Sequence, residues 1–322
     1  MDLDLFFAGT GGSVPSARRG LPALLLRRGG DRLLFDCGEG TQRQLLRSVG
    51  LADLDAAFLT HHHADHWLGL PGMLKTFALR DREKALDVFG PPGTARLIEQ
   101  LKGVYGNLPY PFEVIEIESG DAIEFAGYEV QAFNVRHRGR AFGYAIAEAD
   151  RPGRFDEARA IELGVQPGPD FGRLQAGEVV AGVDPAQVVG EARSGRRIVL
   201  SGDTAPCDMV TAAAAGADVL IHEATFTSAE GPRAQETRHT TAAQAAAIAQ
   251  EAGVRMLALT HVSQRHHARE ILDEARETFA ATELPRDFDA IEVPFPERGG
   301  PRLVPWDRGA RLPQADSFNP VP

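Results

Sequence analysis

Short runs of apolar residues recur along the chain and are bounded by polar or turn-forming residues. Runs of this length and composition are typical of buried β-strands. The clearest lie at residues 3–7, 23–26, 33–35, 56–59, 130–135, 198–200, 219–221 and 256–259. Their distribution predicts that strands form the framework of most of the chain.

Helical patterns alternate with many of these predicted strands. One begins near Thr41, a residue suited to capping a helix N-terminus, and stops at Gly50. A second starts at about Thr241, continues through an alanine-rich stretch and ends at Gly253, and a third covers roughly residues 268–280. Strands and helices mixed in this way predict a layered α/β fold (α+β layered), in which helices cover the faces of sheets.

Two segments lack this alternation of predicted strands and helices. Residues 149–190 are punctuated by glycine and proline and contain no convincing core strand, so we predict an insertion that extends from the main body. Residues from 297 onward are rich in proline, glycine and arginine, which predicts a mobile C-terminal tail at 297–322. Residues 1–296 are then one domain that carries the insertion.

The charge balance limits the classes of function. The 322 residues are 43% hydrophobic and 25% charged, and their formal net charge is −11. This charge argues against a protein that coats nucleic acid non-specifically, although local basic patches can still bind RNA. Arginines cluster at 18–19, 27–28, 136–140 and 193–197, but scattered solubilising arginines explain any single pair equally well.

The cysteine content and the N-terminal sequence bear on the cellular compartment. With only Cys37 and Cys207, the chain has no disulfide framework or Cys-based zinc knuckle, and we expect both thiols to be packed rather than nucleophilic. The first residues are acidic rather than basic and then apolar, unlike a signal peptide, and no apolar run approaches the length of a membrane span. We therefore expect a cytoplasmic protein.

Residues 60–66 concentrate potential metal ligands directly after a predicted strand. His61, His63, Asp65 and His66 stand within this segment. That density is unusual for one tetrahedral zinc, but it suits two neighbouring ions, with His61 and His63 facing one and the other two residues facing the second. Two-metal sites catalyse hydrolysis and phosphoryl transfer, so we expect a dinuclear metallohydrolase.

Further candidate ligands follow other predicted strands. His137, Asp203 and His261 each stand just past the end of one. Each could be an ordinary turn residue, but loops at one sheet edge converge on one site. The set predicts one ion on His61, His63 and His137, a second on Asp65, His66 and His261, and Asp203 as the bridge. Imidazole and carboxylate ligands suit Zn²⁺ best, with Mn²⁺ or Fe²⁺ as alternatives, and the alternating spacing turns His62 away from both ions.

A second group of polar residues completes the candidate site. Glu223 follows a predicted strand, and His239 precedes a predicted helix. A carboxylate bonded to an imidazole fixes its tautomer and raises its basicity, which would make His239 a proton donor for a leaving alkoxide. We expect His222 to be a core or supporting histidine. The glycine-rich residues 9–15 are interpreted as a tight turn that frames the site rather than a dinucleotide loop.

These motifs together resemble those of the metallo-β-lactamase superfamily and, within it, the ribonuclease Z family of tRNA 3′-processing endonucleases. The resemblance extends from about residue 3 to residue 295. It rests on the ligand cluster and on segments 9–15, 35–42, 201–204, 222–225 and 259–261. Thr60 and Ala64 replace the family's usual serine and glycine, and residues 240 and 263–266 also depart from its pattern, but no ligand is lost.

The resemblance implies an αββα sandwich with a catalytic domain at 1–296 and an inserted flexible arm at 149–190. In the family this arm clamps tRNA through a Gly-Pro motif, which Pro167, Gly168 and Pro169 resemble. The family relationship also implies two Zn²⁺ per subunit and a homodimer, in which one subunit's arm holds RNA for the partner's site.

The implied reaction is endonucleolytic removal of the 3′ trailer from precursor tRNA, which leaves a 3′-hydroxyl. Asp65 matches the family's base, and Glu223 and His239 match its proton-donating pair. One rival is another hydrolase of the superfamily, such as a glyoxalase II-type thioester hydrolase or a small-molecule phosphodiesterase. A second is a non-catalytic RNA-binding module, which would be expected to lack ligands that this chain retains.

Overall fold

The computed structural model describes residues 1–51 and 53–307. Its strands, in chain order, are β1 (Leu3–Gly9), β2 (Ala23–Arg28), β3 (Asp31–Phe35), β4 (Ala56–Phe58), β5 (Leu86–Gly90), β6 (Phe112–Glu116), β7 (Ala122–Phe125), β8 (Tyr128–Asn134), β9 (Phe142–Glu148), β10 (Arg197–Leu200), β11 (Val219–Glu223), β12 (Met256–Thr260), β13 (Thr282–Glu283), β14 (Ala290–Glu292) and β15 (Arg302–Val304). The α-helices are α1 (Thr41–Leu46), α2 (Ala64–Trp67), α3 (Leu70–Leu79), α4 (Thr94–Gln100), α5 (Lys102–Tyr105), α6 (Glu157–Glu162), α7 (Pro169–Gln175), α8 (Asp208–Ala213), α9 (Gly231–Thr237), α10 (Ala242–Ala252) and α11 (Ala268–Thr278).

The strands form two sheets. The first has the order β15-β14-β1-β2-β3-β4-β5-β6, and the second has the order β13-β12-β11-β10-β9-β8-β7. Strands β3 to β6 pair in parallel within the first sheet, and β10 to β13 pair in parallel within the second. Parallel neighbours end at the same edge, so the loops after β4, β10, β11 and β12 can meet at one site.

Apolar side chains fill three layers around these sheets. Between the sheets, Phe58 stacks on Phe35 at 5.1 Å and meets the ring of Tyr144 at 5.3 Å. On the outer face of the first sheet, α1 and α3 bury residues such as Leu45 and Met73, and α8, α10 and α11 cover the outer face of the second. The predicted αββα sandwich is therefore confirmed.

The eight predicted strands all form, and the sequence reading missed the others. Strands β6 and β7 alternate exposed and half-buried residues, which gives no continuous apolar run. The prediction for α10 is confirmed, since Thr241 caps its N-terminus and Gly253 ends it with a φ of 65°. Thr41 does not cap α1: Gly40 takes that position, and the Thr41 hydroxyl donates to the carbonyl of Gly38.

Within the predicted insertion, α6, α7 and a 3₁₀-helix at Pro185–Gln187 pack on each other. They share a small core of their own, formed by Ala160, Val165, Leu174, Val180, Val183 and Val188. The segment contains no strand longer than an isolated bridge, as its sequence predicts.

The structure corrects the predicted C-terminal tail. Strand β15 pairs antiparallel with β14, where Leu303 lies opposite Ile291, and the Trp306 ring meets that of Phe288 at 5.9 Å. This part of the tail is therefore the edge of the first sheet, because its alternating side chains pack there despite the nearby proline and glycine. Residues 308–322, also predicted to be mobile, lie outside the described residues. Among the described helices none has the length and apolar character needed to cross a membrane.

Candidate metal centre and active site

The histidine-rich segment lies where the chain leaves β4 and turns into the short helix α2. His63 occupies the N-cap position of α2, and Asp65 and His66 lie in its single turn. The preceding residue Thr60 is held by Asp36, whose carboxylate accepts hydrogen bonds from the Thr60 amide at 2.8 Å and from its hydroxyl. The turn therefore points several polar side chains towards the space between the two sheets.

The structure brings all the predicted metal ligands together. Ligand atoms lie within 4.8 Å of one another in one group formed by His61, His63, His137 and Asp203, and in a second formed by Asp65, His66 and His261. A third group of this kind joins His239 to Asp203 and His261. These groups match the predicted division of ligands between two ions and add His239 at the margin.

Asp203 lies at the centre of this arrangement. Its Oδ2 atom approaches imidazole nitrogens from both halves: His261 Nε2 at 3.2 Å, His66 Nε2 at 3.3 Å, His61 Nε2 at 3.8 Å and His137 Nε2 at 4.0 Å. The neighbouring Gly202 has a φ of 60°, and a side chain there would collide with the carbonyl of Phe142. The sharp turn at the end of β10 thus sets Asp203 where a bridging carboxylate would lie.

Hydrogen bonds on the far side of four imidazoles fix their orientation. The Nδ1 atom of His66 bonds to Asp36 at 2.7 Å, and that of His61 lies 3.0 Å from the Thr60 hydroxyl. The Nδ1 atom of His137 lies 2.9 Å from the backbone carbonyl of Arg238, and that of His261 lies 2.8 Å from the Thr225 hydroxyl. Such outer partners select the tautomer that leaves Nε2 free for a metal. Asp36, Thr60 and Thr225 were not predicted as site residues, although Asp36 follows β3 as the ligands follow their strands.

The residues present fit bound metal. The Nε2 atoms of His61 and His66 are buried and make no hydrogen bond among the described residues, and such atoms normally have a partner. Burial and the nearby His66 lower the pKa of His61 well below its ordinary value. Burial also disfavours a charged His66, but the carboxylates of Asp203 and Asp36 raise its pKa well above that value. A cation at these nitrogens would satisfy both the orphaned atoms and the carboxylates that face them.

Asp65 lies on the open side of the centre. Its Oδ2 atom accepts a hydrogen bond from the Ser13 amide at 2.8 Å and lies 3.4 Å from His261 Nε2. The glycine-rich turn therefore frames the site, as predicted. At Gly12 a side chain would lie 2.4 Å from the His261 ring, so only glycine allows this approach. Burial raises the pKa of Asp65, but the hydrogen bond to His261 and the charge of His66 outweigh burial. The pKa of this carboxyl therefore lies well below its ordinary value.

Glu223 and His239 form the predicted carboxylate–imidazole pair. The His239 Nδ1 atom lies 2.7 Å from Glu223 Oε1 and 3.9 Å from Asp203 Oδ2. Glu223 ends β11 and is fully buried, where it also accepts bonds from the Thr204 amide and the Thr225 hydroxyl. Burial opposes a charged imidazole, but the Glu223 carboxylate raises the pKa of His239 to about 9. Below about pH 9 the imidazole therefore carries a proton on Nδ1, which faces Glu223, and a second on Nε2, which is the one that His239 can donate.

Two cavities have His239 in their lining. The larger, of about 800 Å³, is lined by Arg136, Arg238 and two glutamines. Neither guanidinium forms an ion pair among the described residues, and Arg238 donates to the carbonyl of His137. The smaller, of about 260 Å³, is lined by residues that include Ser13, Phe226 and Arg265. An extended anionic chain could therefore continue past His239 in both directions.

Other residues singled out from the sequence lie away from the two metal groups. His62 bonds to the Thr94 hydroxyl at 2.8 Å, and His222 is fully buried with Nδ1 on the carbonyl of Glu223. Cys37 is also fully buried, and burial raises the pKa of its thiol strongly, whereas Cys207 is partly exposed beside Thr204.

The arginine clusters separate into different environments. Arg19 is largely enclosed and donates to Thr10, and Arg196 is fully buried against Glu148. Arg136 and Arg138 remain exposed, and Arg136 lines the larger cavity. Pro167, Gly168 and Pro169 are exposed at the start of α7, within the insertion and apart from the ligand groups.

Comparison with protein families gives an independent view of the chain. The model of the beta-lactamase superfamily domain matches residues 31–154 and 179–262. The gap between the two matched segments falls inside the insertion. The ribonuclease Z of Natronomonas pharaonis is 46% identical over 308 residues, which cover 92% of this chain and 100% of that protein.

Solved structures show the same architecture. The human tRNase Z, short form, is 28% identical with a TM-score of 0.66, over 90% of this chain and 99% of that one. The metallo-β-lactamase fold protein YhfI from Bacillus subtilis superposes with a TM-score of 0.68 over 91% of this chain and 100% of that one. At 18% identity it supports the fold alone.

Proposed function

The chain belongs to the ribonuclease Z family of the metallo-β-lactamase superfamily, and we propose that this metal-dependent tRNA 3′-processing endoribonuclease cuts with two Zn²⁺ per subunit. The proposal assigns one ion to His61, His63 and His137 and the other to Asp65, His66 and His261, with Asp203 shared. Donor chemistry supports zinc, because imidazoles outnumber carboxylates, and Mn²⁺ or Fe²⁺ remain alternatives. When bound, such ions acidify water and neutralise charge on a phosphoryl group.

The observation that carries the proposal is the position of His239. It lines both cavities, beside Asp203 and against Glu223. A proton donor at this point suits a substrate whose chain continues on both sides of the bond that breaks, as in an internal phosphodiester. A small thioester would need only one of the two cavities.

Asp65 and His239 divide the proton transfers in this proposal. Asp65 orients the attacking water and takes up its proton, since its carboxylate is fixed by the Ser13 amide and faces the metal ligands. The water then attacks the phosphorus in line with the bond to the 3′ oxygen. His239, held by Glu223, gives a proton to that oxygen as it leaves, so the tRNA ends in a 3′-hydroxyl and the trailer keeps the phosphate.

RNA binding is assigned to two regions of the surface. Arg136 and Arg238 line the larger cavity without carboxylate partners, which suits contacts to phosphates despite the net charge of −11. The insertion at 149–190 is proposed as the tRNA-binding arm, with Pro167 to Pro169 exposed near its helix α7. Two of its four arginines, Arg159 and Arg173, pair with its own carboxylates, and Arg151 pairs with Glu297, so shape should matter more than charge there.

A homodimer in the cytoplasm completes the proposal. Leu68, Leu79 and Val104 are large apolar side chains that stay exposed on or beside helices α2, α3 and α5, with 46%, 71% and 70% of their surface accessible. Exposed apolar side chains of this kind often belong to interfaces. The cytoplasmic location is expected from the substrate and stays a prediction.

The test compares three substrates with the wild type and with Asp65→Ala. These are precursor tRNA with a 3′ trailer, S-lactoylglutathione as a thioester, and bis(p-nitrophenyl) phosphate as a small diester, each assayed with Zn²⁺ or Mn²⁺. We expect the wild type to cleave the precursor and Asp65→Ala to lose at least about 100-fold in kcat. Fast thioester hydrolysis without precursor cleavage would overturn the assignment.

A further inference from the structure

The insertion is joined to the rest of the molecule only through its base. Among the hydrogen bonds and ion pairs of the described residues, none connects residues 154–190 to residues outside the insertion. All such bonds lie at its two ends, near Arg151 and Arg193. The direction in which the insertion leaves the body is therefore decided at these ends.

At the base the two ends of the insertion pair with each other. Arg151 and Arg193 exchange backbone hydrogen bonds of 2.8 and 2.9 Å, and Arg193 Nε donates to the carbonyl of Pro152. Beyond them, Gly153 packs so closely on Gly190 that a side chain would lie 1.9 Å from its carbonyl oxygen. This pairing continues the β9–β10 ladder, in which Ala147 lies opposite Arg197, so the backbone ties the base to the second sheet.

Phe295 adds a side-chain connection between the base and the body. Its ring lies between two guanidinium groups, 3.5 Å from that of Arg151 and 4.1 Å from that of Arg196. Arg196 is fully buried and donates to both oxygens of Glu148 at 2.6 and 2.7 Å. The aromatic ring is thus a bridge between a fixed core arginine and the arginine that begins the insertion.

Glu297 closes the same contact from the surface. Its two oxygens accept bonds from Arg151 at 2.8 and 2.9 Å, and Arg193 approaches to 3.5 Å. A forked bond to a guanidinium fixes direction as well as distance. One carboxylate therefore touches both ends of the insertion, from a segment that leads directly into β15 at the edge of the first sheet.

We infer that Phe295 and Glu297 are positioning residues for precursor tRNA, because they fix the direction of the arm relative to the active site. The inference rests on the proposed function of the arm. Neither residue is among the metal ligands or lines the cavities beside His239. An anchored arm keeps its bound RNA close to the active site, which raises the effective concentration of that RNA there. An arm that is free to swing lowers this effective concentration.

The expected effect is a change in KM without a change in chemistry. In Phe295→Ala and Glu297→Ala, KM for precursor tRNA should rise about fivefold to tenfold, while kcat and hydrolysis of bis(p-nitrophenyl) phosphate stay within about twofold. Phe295→Trp keeps an aromatic face and should retain the wild-type KM. Glu292→Ala is the control, since Glu292 also binds an arginine, Arg302 on the neighbouring strand, through one oxygen, but does not touch the insertion.

The experiment combines these variants with deletion of residues 152–185 and with hydrogen–deuterium exchange. Faster exchange at residues 156–188 in Phe295→Ala, with unchanged exchange in the two sheets, supports the inference. An unchanged KM in both alanine variants, when the deletion abolishes processing, overturns it. Processing that survives the deletion instead contradicts the proposed role of the arm. If Phe295→Ala lowers the thermal midpoint strongly, Glu297→Gln gives the same test at the surface.

Discussion

The Glu223 carboxylate lies 2.7 Å from His239 Nδ1, and it is fully buried beneath that imidazole. The pair lies at the margin of the ligand groups rather than within either predicted ion site. In the proposal this pair supplies the proton and holds no metal ion, although His239 comes within 3.9 Å of Asp203. That division of roles can be tested residue by residue.

Replacing His239 by alanine should lower kcat for precursor tRNA by about 10² to 10⁴-fold, because general acid catalysis contributes an effect of that size. KM and the metal content should change little. Glu223→Gln should cost less, since the imidazole remains but loses its charged partner. Steady-state kinetics with elemental analysis of the protein checks both, and loss of metal in His239→Ala would show that His239 is itself a ligand.

Replacing Asp203 by alanine should reduce the content of both metals, because its Oδ2 atom faces ligands of both groups. We expect about two zinc ions per wild-type subunit and fewer than one in the variant, measured by mass spectrometry of the dialysed protein. Asp208→Ala removes an exposed carboxylate that follows the same strand and is the control. Loss of only one ion would assign Asp203 to a single site.

Arg136 should contribute to RNA affinity through phosphate contact. In Arg136→Ala we expect a higher KM for precursor tRNA and a salt dependence of log KM that is shallower by about one unit. Arg140→Ala is matched to it, because Arg140 is exposed in the same cluster but binds Glu118 at 2.6 Å. Titration of KM with KCl distinguishes the two, and equal behaviour of both variants would contradict the assignment of the larger cavity to RNA.

The stability of the fold should fall in acid through Glu148. This side chain is 4% exposed between Arg28 and Arg196. Burial raises its pKa, but the bonds from Arg196 and Arg28 outweigh it and lower the pKa from 4.5 to about 2. Its contribution, of about 3 kcal/mol, is present above pH 4.5 and is lost as the pH falls towards 2.

Denaturant unfolding as a function of pH checks this contribution. In Glu148→Gln the free energy of unfolding at pH 7 should be lower, because two buried guanidiniums lose their carboxylate. Its decrease between pH 4.5 and 2 should also be shallower than in the wild type. Parallel curves for the two proteins would show that Glu148 does not carry the acid sensitivity.

The positions of the candidate ligands after strands rich in apolar residues explain why the sequence could predict that they come together. His137, Asp203 and His261 come together for this reason, even though they are far apart in the chain. Residues whose role depends on tertiary contacts could not be predicted in this way. Thr225 orients His261, and Arg196 is buried by its pairing with Glu148, yet neither differs in sequence from an ordinary polar residue.

Missed elements have a similar cause. Strand β9 contains glycine and alanine, which weaken its apolar signal, and its burial comes from pairing with β8 and β10. The edge strand β15 has only three residues and lies in a segment that composition marks as a tail. Phe295 follows β14, and its role could be inferred only from the structure, which places its ring against two arginines.

The central claim is that this centre cuts precursor tRNA internally and leaves a 3′-hydroxyl. The most direct measurement incubates the zinc-loaded protein with precursor tRNA labelled at its 5′ end and carrying a 3′ trailer, then identifies the length and terminal group of the labelled product. We predict one product of mature length. Because it ends in a 3′-hydroxyl, it should be a substrate for 3′ ligation without phosphatase treatment. A ladder of progressively shortened products, or a terminus blocked by a 3′ or cyclic phosphate, would contradict it.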